Sequence, residues 1–347
     1  MKVLYSLAIV LALMLVAFLG AEVLPGGRTL FGVVLPWLAF VTFVFFFVAK
    51  IVNWAKSPVP FRIPTTCGQE NSLPWIKQNK LDCPSTTSGV LGRMFLEIFL
   101  FRSLFRNTQA EIHEGPKLAY GSSKYLWLFG LMFHYSFLVI VLRHMRLFTN
   151  PVPFFVHALE FGDGFLQVGA PPLYITDLVF LGAVTFLFLR RVVLPSIRYI
   201  SLPADYFPLF LILGIGLTGV AMRYFLRVDV ISIKTLTHGL VTFQFSAPLE
   251  SISSLFFVHL FLVTTLMAYF PFSKLMHLGG VFLSPTRNMA NNSRMVRHIN
   301  PWNDPSIKPH SYAAYEDDFR EFMVDAGLPV EKELEPKADE NAPAASE

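Results

Sequence analysis

Six long apolar stretches, separated by polar or proline-rich segments, dominate the pattern along the chain. They fall near Val3–Ala21, Leu30–Ala49, Tyr125–Leu142, Leu173–Leu189, Tyr206–Met222 and Leu255–Phe272. A helix of roughly 20 apolar residues crosses a hydrocarbon core. The pattern therefore predicts an all-α integral membrane protein, a six-helix transmembrane bundle. Lys2 before the first stretch is also how a signal peptide begins, but "AFLGAEVL" has no clean small-x-small cleavage site, so a retained helix is expected.

Basic residues orient the spans. The loop after the second span holds ten Lys or Arg, from Lys50 to Lys124, and the turn after the fourth has Arg190, Arg191 and Arg198. The segment after the sixth carries Lys274, Arg287, Arg294 and Arg297, whereas "LFTNPVPFFVHALEFGDGFLQVGAPPLYITD" has no Lys or Arg. Both termini are expected in the cytoplasm, with the chain multi-pass in the cytoplasmic (inner) membrane. Arg143, Arg146, Arg223, Arg227 and Lys234 stay on the outer side. The expected organisation is a two-helix membrane segment at 1–50, a cytoplasmic loop at 51–124, a four-helix core at 125–278 and a cytoplasmic tail at 279–347.

Within the loop, "RMFLEIFLFRSLFRNTQAEIHEG" reads as an amphipathic helix punctuated by Arg93, Arg102 and Arg106. In the tail, "SYAAYEDDFREFMVDAGL" predicts a short helix ending at Gly327, and "EKELEPKADENAPAASE" has a disordered composition.

Composition agrees with a bilayer environment. Of 347 residues, 54% are hydrophobic, 15% are charged and 36 are Phe, with a net charge of +4. Cys67 and Cys83 form no CxxC, so the chain itself offers no iron–sulfur, zinc-ribbon or c-type haem motif, and two reduced thiols are expected. No nucleic-acid partner is expected.

Histidines inside spans are the anomaly, because ionisable side chains there are costly. The third span places His134 and His144 ten residues apart, and "HLFLVTTLMAYFPFSKLMH" runs from His259 to His277. Read as one helix, the second pair is close to five whole turns apart and shares a face. The two spans run in opposite directions, so His144 pairs with His259 near the outer face and His134 with His277 near the inner face. Two histidines from facing helices, repeated at two depths, suit bis-histidine haem b, with all four side chains as iron ligands. Eighteen helical residues rise about 27 Å against about 15 Å for ten. Pro271 and helix tilt are expected to absorb part of that difference.

Gly214, Gly216 and Gly219 suit either a flat cofactor or tight helix packing. His113, His298 and His310 are expected in solvent. For a quinone site, the outer segment "HALEFGDGFLQVGAPP" offers His157, Asp163 and Gln167, although Asp163 between two glycines is also a good turn residue. A transporter using histidines as a metal or proton path would need acidic residues in the spans, and Asp177 is the one present. An anchor without cofactors would leave the four histidines unexplained.

The ten-residue histidine spacing, followed by the segment ending in PFSKLMH, resembles the nitrate reductase gamma subunit family. Its members are di-haem b, quinol-oxidising membrane cytochromes with five spans. The resemblance covers Tyr125 to Leu278 and one helix before the loop. It implies that His134 and His277 ligate the inner haem, and His144 and His259 the outer one. The extra N-terminal span, "FRSLFRN", "NPWNDP" and "YEDDFREFMVDAGLPVEKE" depart from that pattern. They look closer to the M-subunit branch of the dissimilatory sulfite reductase-associated membrane complexes.

That likeness implies a redox subunit rather than a complete enzyme. It exchanges electrons between menaquinol and a cytoplasmic iron–sulfur subunit of heterodisulfide-reductase type, in respiratory sulfite or sulfate metabolism. Further membrane and periplasmic subunits are implied. The alternative is a gamma-type cytochrome of a nitrate or heterodisulfide reductase.

Overall fold

The computed structural model describes residues 1–57, 79–115, 117–165, 171–291, 306, 308 and 310–333. Cys67, Gln167, His298, the NPWNDP segment and the last fourteen residues, expected to be disordered, lie outside them. The chain forms two compact units, Met1–His298 and Ile299–Glu347.

The first unit is mostly helical. Its principal helices are α1 (Lys2–Val23), α2 (Leu35–Ala55), α3 (Thr87–Leu100), α4 (Lys124–Phe148), α5 (Ile175–Val193), α6 (Pro203–Val220), α7 (Val230–Thr242) and α8 (Ser254–Tyr269). Five stretches are long and apolar enough to cross a membrane: Lys2–Val23, Gly27–Ala55, Lys124–Phe148, Pro203–Leu226 and Ser254–Phe272. The expected span at Leu173–Leu189 is α5. It has 19 residues, but Asp177 in its first turn and Arg190 and Arg191 in its last set it apart from those five. Those charges complement the helix dipole at each end.

Local chemistry starts these helices. Asp205 accepts from the Leu202 N–H at the head of α6, and Asp229 caps α7 by accepting from Ile231 and Ser232. Thr86 caps α3 in the same way through Gly89.

Helix α6 is central, packed on α1, α5 and α8, while α4 packs on α5 and α7. Lys2 Nζ reaches the Ser201 carbonyl at 2.9 Å and Ser6 Oγ the Pro203 carbonyl at 3.0 Å, which ties α1 to the start of α6. Val10, Tyr206, Leu211 and Leu262 bury one core layer; Phe31, Leu236, Phe256 and Phe257 bury another. The outer faces of α1 and α2 expose Leu11, Leu15, Val41 and Phe45. Lipid is as apolar as such side chains, so close packing and internal hydrogen bonds hold the bundle together. Gly216 shows the requirement: a Cβ there would stand 2.6 Å from the Phe180 ring. The small residue admits the neighbouring helix, so at this position the packing reading is correct.

The loop after α2 is more structured than a single amphipathic helix. Helix α3 ends at Leu100, Phe101 adopts a left-handed conformation (φ 50°), and a short turn Arg102–Phe105 follows. The strands Thr108–His113 (β1) and Lys117–Ser122 (β2) then pair as an antiparallel hairpin, with Ile112 opposite Leu118 and Gly115 in the turn at φ 84°. The expected helix therefore stops where Phe101 reverses the chain. Asp82 receives both Arg102 and Arg106. Burial pulls its carboxyl pKa up, but these hydrogen bonds outweigh burial and hold it below the usual carboxylate value.

Arg93, one of the arginines punctuating the expected amphipathic helix, is buried. It donates to the carbonyls of Asp82 (2.9 Å), Arg287 (3.1 Å from Nε) and Met289 (3.1 Å), while Glu97 pairs with Arg287 at 3.1 Å. One guanidinium thus joins the loop to the segment beyond the last span. Arg93→Ala strips three carbonyls of their donor and is expected to cost about 2–3 kcal/mol locally. Limited trypsin digestion should then cut within 79–106 faster, with the thermal transition of the bundle unchanged.

In the second unit, the helix Tyr312–Asp325 is capped by Ser311 and followed by Gly327 at φ 68°, which matches the sequence expectation. Buried Glu316 accepts from the Glu331 and Lys332 backbone N–H groups at 2.9 Å each.

Candidate functional site

Each of the four candidate histidines has a hydrogen-bond partner at Nδ1. On α4, His134 and His144 donate Nδ1–H to the carbonyls four residues back, Gly130 and Ile140, at 2.7 Å each. His277 donates from Nδ1 to the Lys274 carbonyl at 2.9 Å. Carbonyls only accept, so these three rings carry hydrogen on Nδ1 and leave Nε2 bare for a metal. His259 has a different partner, the Thr218 hydroxyl on α6, 2.9 Å from its Nδ1.

His134 and His277 face one another. Their ring centroids are 6.0 Å apart and the ring planes are nearly perpendicular, at 83°. A metal–imidazole bond is about 2 Å, so two rings ligating one atom from opposite sides have centroids about 6 Å apart. The donor set fits the iron of a haem. Phe101 and Phe133 each stand edge-on to His134 at 5.0 Å, so the reversed loop residue lies against this pair.

This pairing corrects the reading of His259 and His277 as one helix face. Helix α8 ends at Tyr269, Phe270–Phe272 forms a 3-10 turn around Pro271, and Ser273 is extended. A second turn, Lys274–Met276, delivers His277 at the head of the short helix His277–Leu283. Proline cannot donate to the preceding turn and clashes with its carbonyl, so the helix stops there. Lys274 Nζ, bonded to Asp205 at 2.6 Å, fastens the new turn to the start of α6. The uninterrupted five-turn helix between His259 and His277 is never built, so its rise of about 27 Å does not apply to that pair.

Helix α8 packs on α1, α2 and α6, whereas α4 packs on α5 and α7. Helices α4 and α8 therefore have little direct packing on one another. Among the described residues, no three His, Cys, Asp or Glu side chains converge as a purely protein-held metal would need.

Beside His144 lies a buried ionic cluster that the sequence reading did not find. Arg143 pairs with Asp177 at 2.7 Å and Asp163 at 3.1 Å, and it donates to the Thr176 hydroxyl at 3.1 Å. The Tyr224 hydroxyl donates to Asp177 at 2.7 Å. The Tyr174 ring receives Arg143 at 3.7 Å and Arg223 at 4.0 Å. Arg223 and Tyr224 belong to a π-helical turn, Ala221–Leu226, that continues α6. The available signal was a basic residue directly beside an intramembrane histidine.

Asp163 ends the short helix Phe154–Asp163 and is buried. It accepts from Thr176 N at 2.8 Å and Thr176 Oγ1 at 2.5 Å, besides facing Arg143. It is therefore neither a bare turn residue nor a carboxylate without partners. His157 is exposed, with Nδ1 3.9 Å from Glu160.

Residues 99–298, which contain all four histidines, match the family described as nitrate reductase gamma subunit. The chain is 46% identical over 286 residues to the Hdr-like menaquinol oxidoreductase cytochrome b-like subunit of Archaeoglobus fulgidus, covering 81% of this chain and 85% of that protein. It is 44% identical over 278 residues to the protein of the same name from Archaeoglobus profundus, covering 78% of this chain and 82% of that one.

Proposed function

The chain belongs to the nitrate reductase gamma subunit family, and from that premise we propose that it is the membrane cytochrome b subunit of a menaquinol-oxidising complex. His134 and His277 hold an inner haem b, and His144 and His259 an outer one. When bound, the haems supply one-electron transfer between the quinol and a cytoplasmic partner. The observation that carries this reading is the facing pair His134–His277, with each Nδ1 anchored and the rings 6.0 Å apart.

The partner is an iron–sulfur subunit of heterodisulfide-reductase type, accompanied by further membrane and periplasmic subunits in respiratory sulfur metabolism. The name of both relatives, an Hdr-like menaquinol oxidoreductase, favours this over a nitrate reductase. Helix α5 is a span in addition to the five, its charges confined to the end turns, and both termini lie in the cytoplasm. The quinol headgroup meets the outer segment of His157, Asp163 and Gln167. There His157 offers an exposed ring, and Asp163 acts through its hold on Arg143 and Thr176.

A dithionite-reduced minus oxidised spectrum with pyridine haemochrome quantitation tests the assignment on the purified full chain. Two haem b per chain are expected. One haem would leave a single histidine pair in use, and none would end the proposal.

A further inference from the structure

Three of the four histidines bond to carbonyls of their own segment; His259 alone relies on a side chain from another helix. We infer that Thr218 is a positioning residue for His259. It sets that ring's tautomer and, through it, the potential of the haem held by His144 and His259. The inference rests on the di-haem reading above.

The direction of the bond follows from the neighbours of Thr218. The residue is 4% exposed, so its hydroxyl hydrogen has no water to turn to. Two carbonyls of its own helix lie within reach, Gly214 at 2.8 Å and Ile215 at 3.0 Å. With the hydrogen given to α6, the oxygen presents a lone pair to His259, and Nδ1 of the ring must donate. A ring donating from Nδ1 keeps Nε2 bare, the state a metal ligand requires. Gly219 completes the seat, since a Cβ there would meet the ring Cε1 at 3.4 Å.

An acceptor on the far nitrogen makes a ligating imidazole more basic and stabilises the oxidised metal. Losing the acceptor moves the reduction potential upward. The Ile215 carbonyl, 3.0 Å from the same hydroxyl, is the backbone acceptor that would compete for the ring. Substitution at Thr218 separates the two.

The experiment compares Thr218→Val and Thr218→Ser in the full-length holoprotein by haem stoichiometry, electron paramagnetic resonance and redox titration. Valine keeps the volume and removes the hydroxyl; serine keeps the hydroxyl. The expected result for valine is a positive shift in the midpoint of one haem, with altered g values, while the other haem is unmoved. The shifted signal should be the one absent from His144→Ala, and serine should resemble the unaltered protein. Loss of the outer haem in valine but not in serine also supports the role.

Unchanged midpoints and g values in valine would overturn it, leaving the Ile215 carbonyl as the acceptor. Equal haem loss in both variants would overturn it too, because the residue would then serve packing alone. Fewer than two haems in the unaltered protein would instead defeat the di-haem reading.

Discussion

Alanine at His134 or at His277 is expected to halve the haem b content and to leave the same single haem in either case. The two side chains face each other across 6.0 Å, so on the proposed assignment each variant would remove one ligand of the same iron. Alanine at His144 or His259 should remove the other haem and, with it, reduction by quinol analogues. Double variants test the pairing more severely than single ones. If residues of one pair act as a unit, His134→Ala with His277→Ala should lose no more haem than either alone. His134→Ala combined with His144→Ala crosses the pairs and should leave none. Pyridine haemochrome assays on the purified variants read each outcome, and a full haem complement in all four single variants would exclude the ligand assignment.

Replacing Arg143 with alanine should cause the largest loss of stability among single substitutions near the site. The guanidinium faces Asp163 and Asp177, and all three side chains are largely removed from solvent. Its removal leaves two carboxylates buried without their counter-charge, which typically costs about 3–5 kcal/mol. A fall in Tm on the order of 10 °C is expected for a chain of this size. Adding Asp163→Asn and Asp177→Asn to the same variant should recover part of the loss, since the uncompensated charge is then gone. Thermal unfolding in detergent checks both, and an unchanged Tm in the single variant would mean that the cluster is solvated.

Much of the site was legible because its signals are local. His134 and His144 stand on one uninterrupted apolar helix, where spacing converts directly into position. The tail helix was equally readable from its serine cap and its glycine stop. The β-hairpin in the loop was not, because its pairing follows a reversal at Phe101, a residue type that rarely takes positive φ. Asp163 and Arg143 look like a turn residue and a stray outer charge in one dimension. Only the packing of the short helix Phe154–Asp163, and of α5, against α4 makes them partners.

The sequence by itself determined the membrane class and five of the spans, and it singled out four histidines as candidates, since each depends on composition and on periodicity within one helix. Only the tertiary structure decided how His134 and His277 meet. Pro271 could be read as a break, but a break has no direction until Lys274 finds Asp205 on another helix and turns His277 towards His134. The same holds for Thr218, an unremarked hydroxyl in an apolar run, which acquires a role because α6 passes beside His259. Contacts between residues distant in sequence are fixed by packing, and packing leaves no periodic trace along the chain.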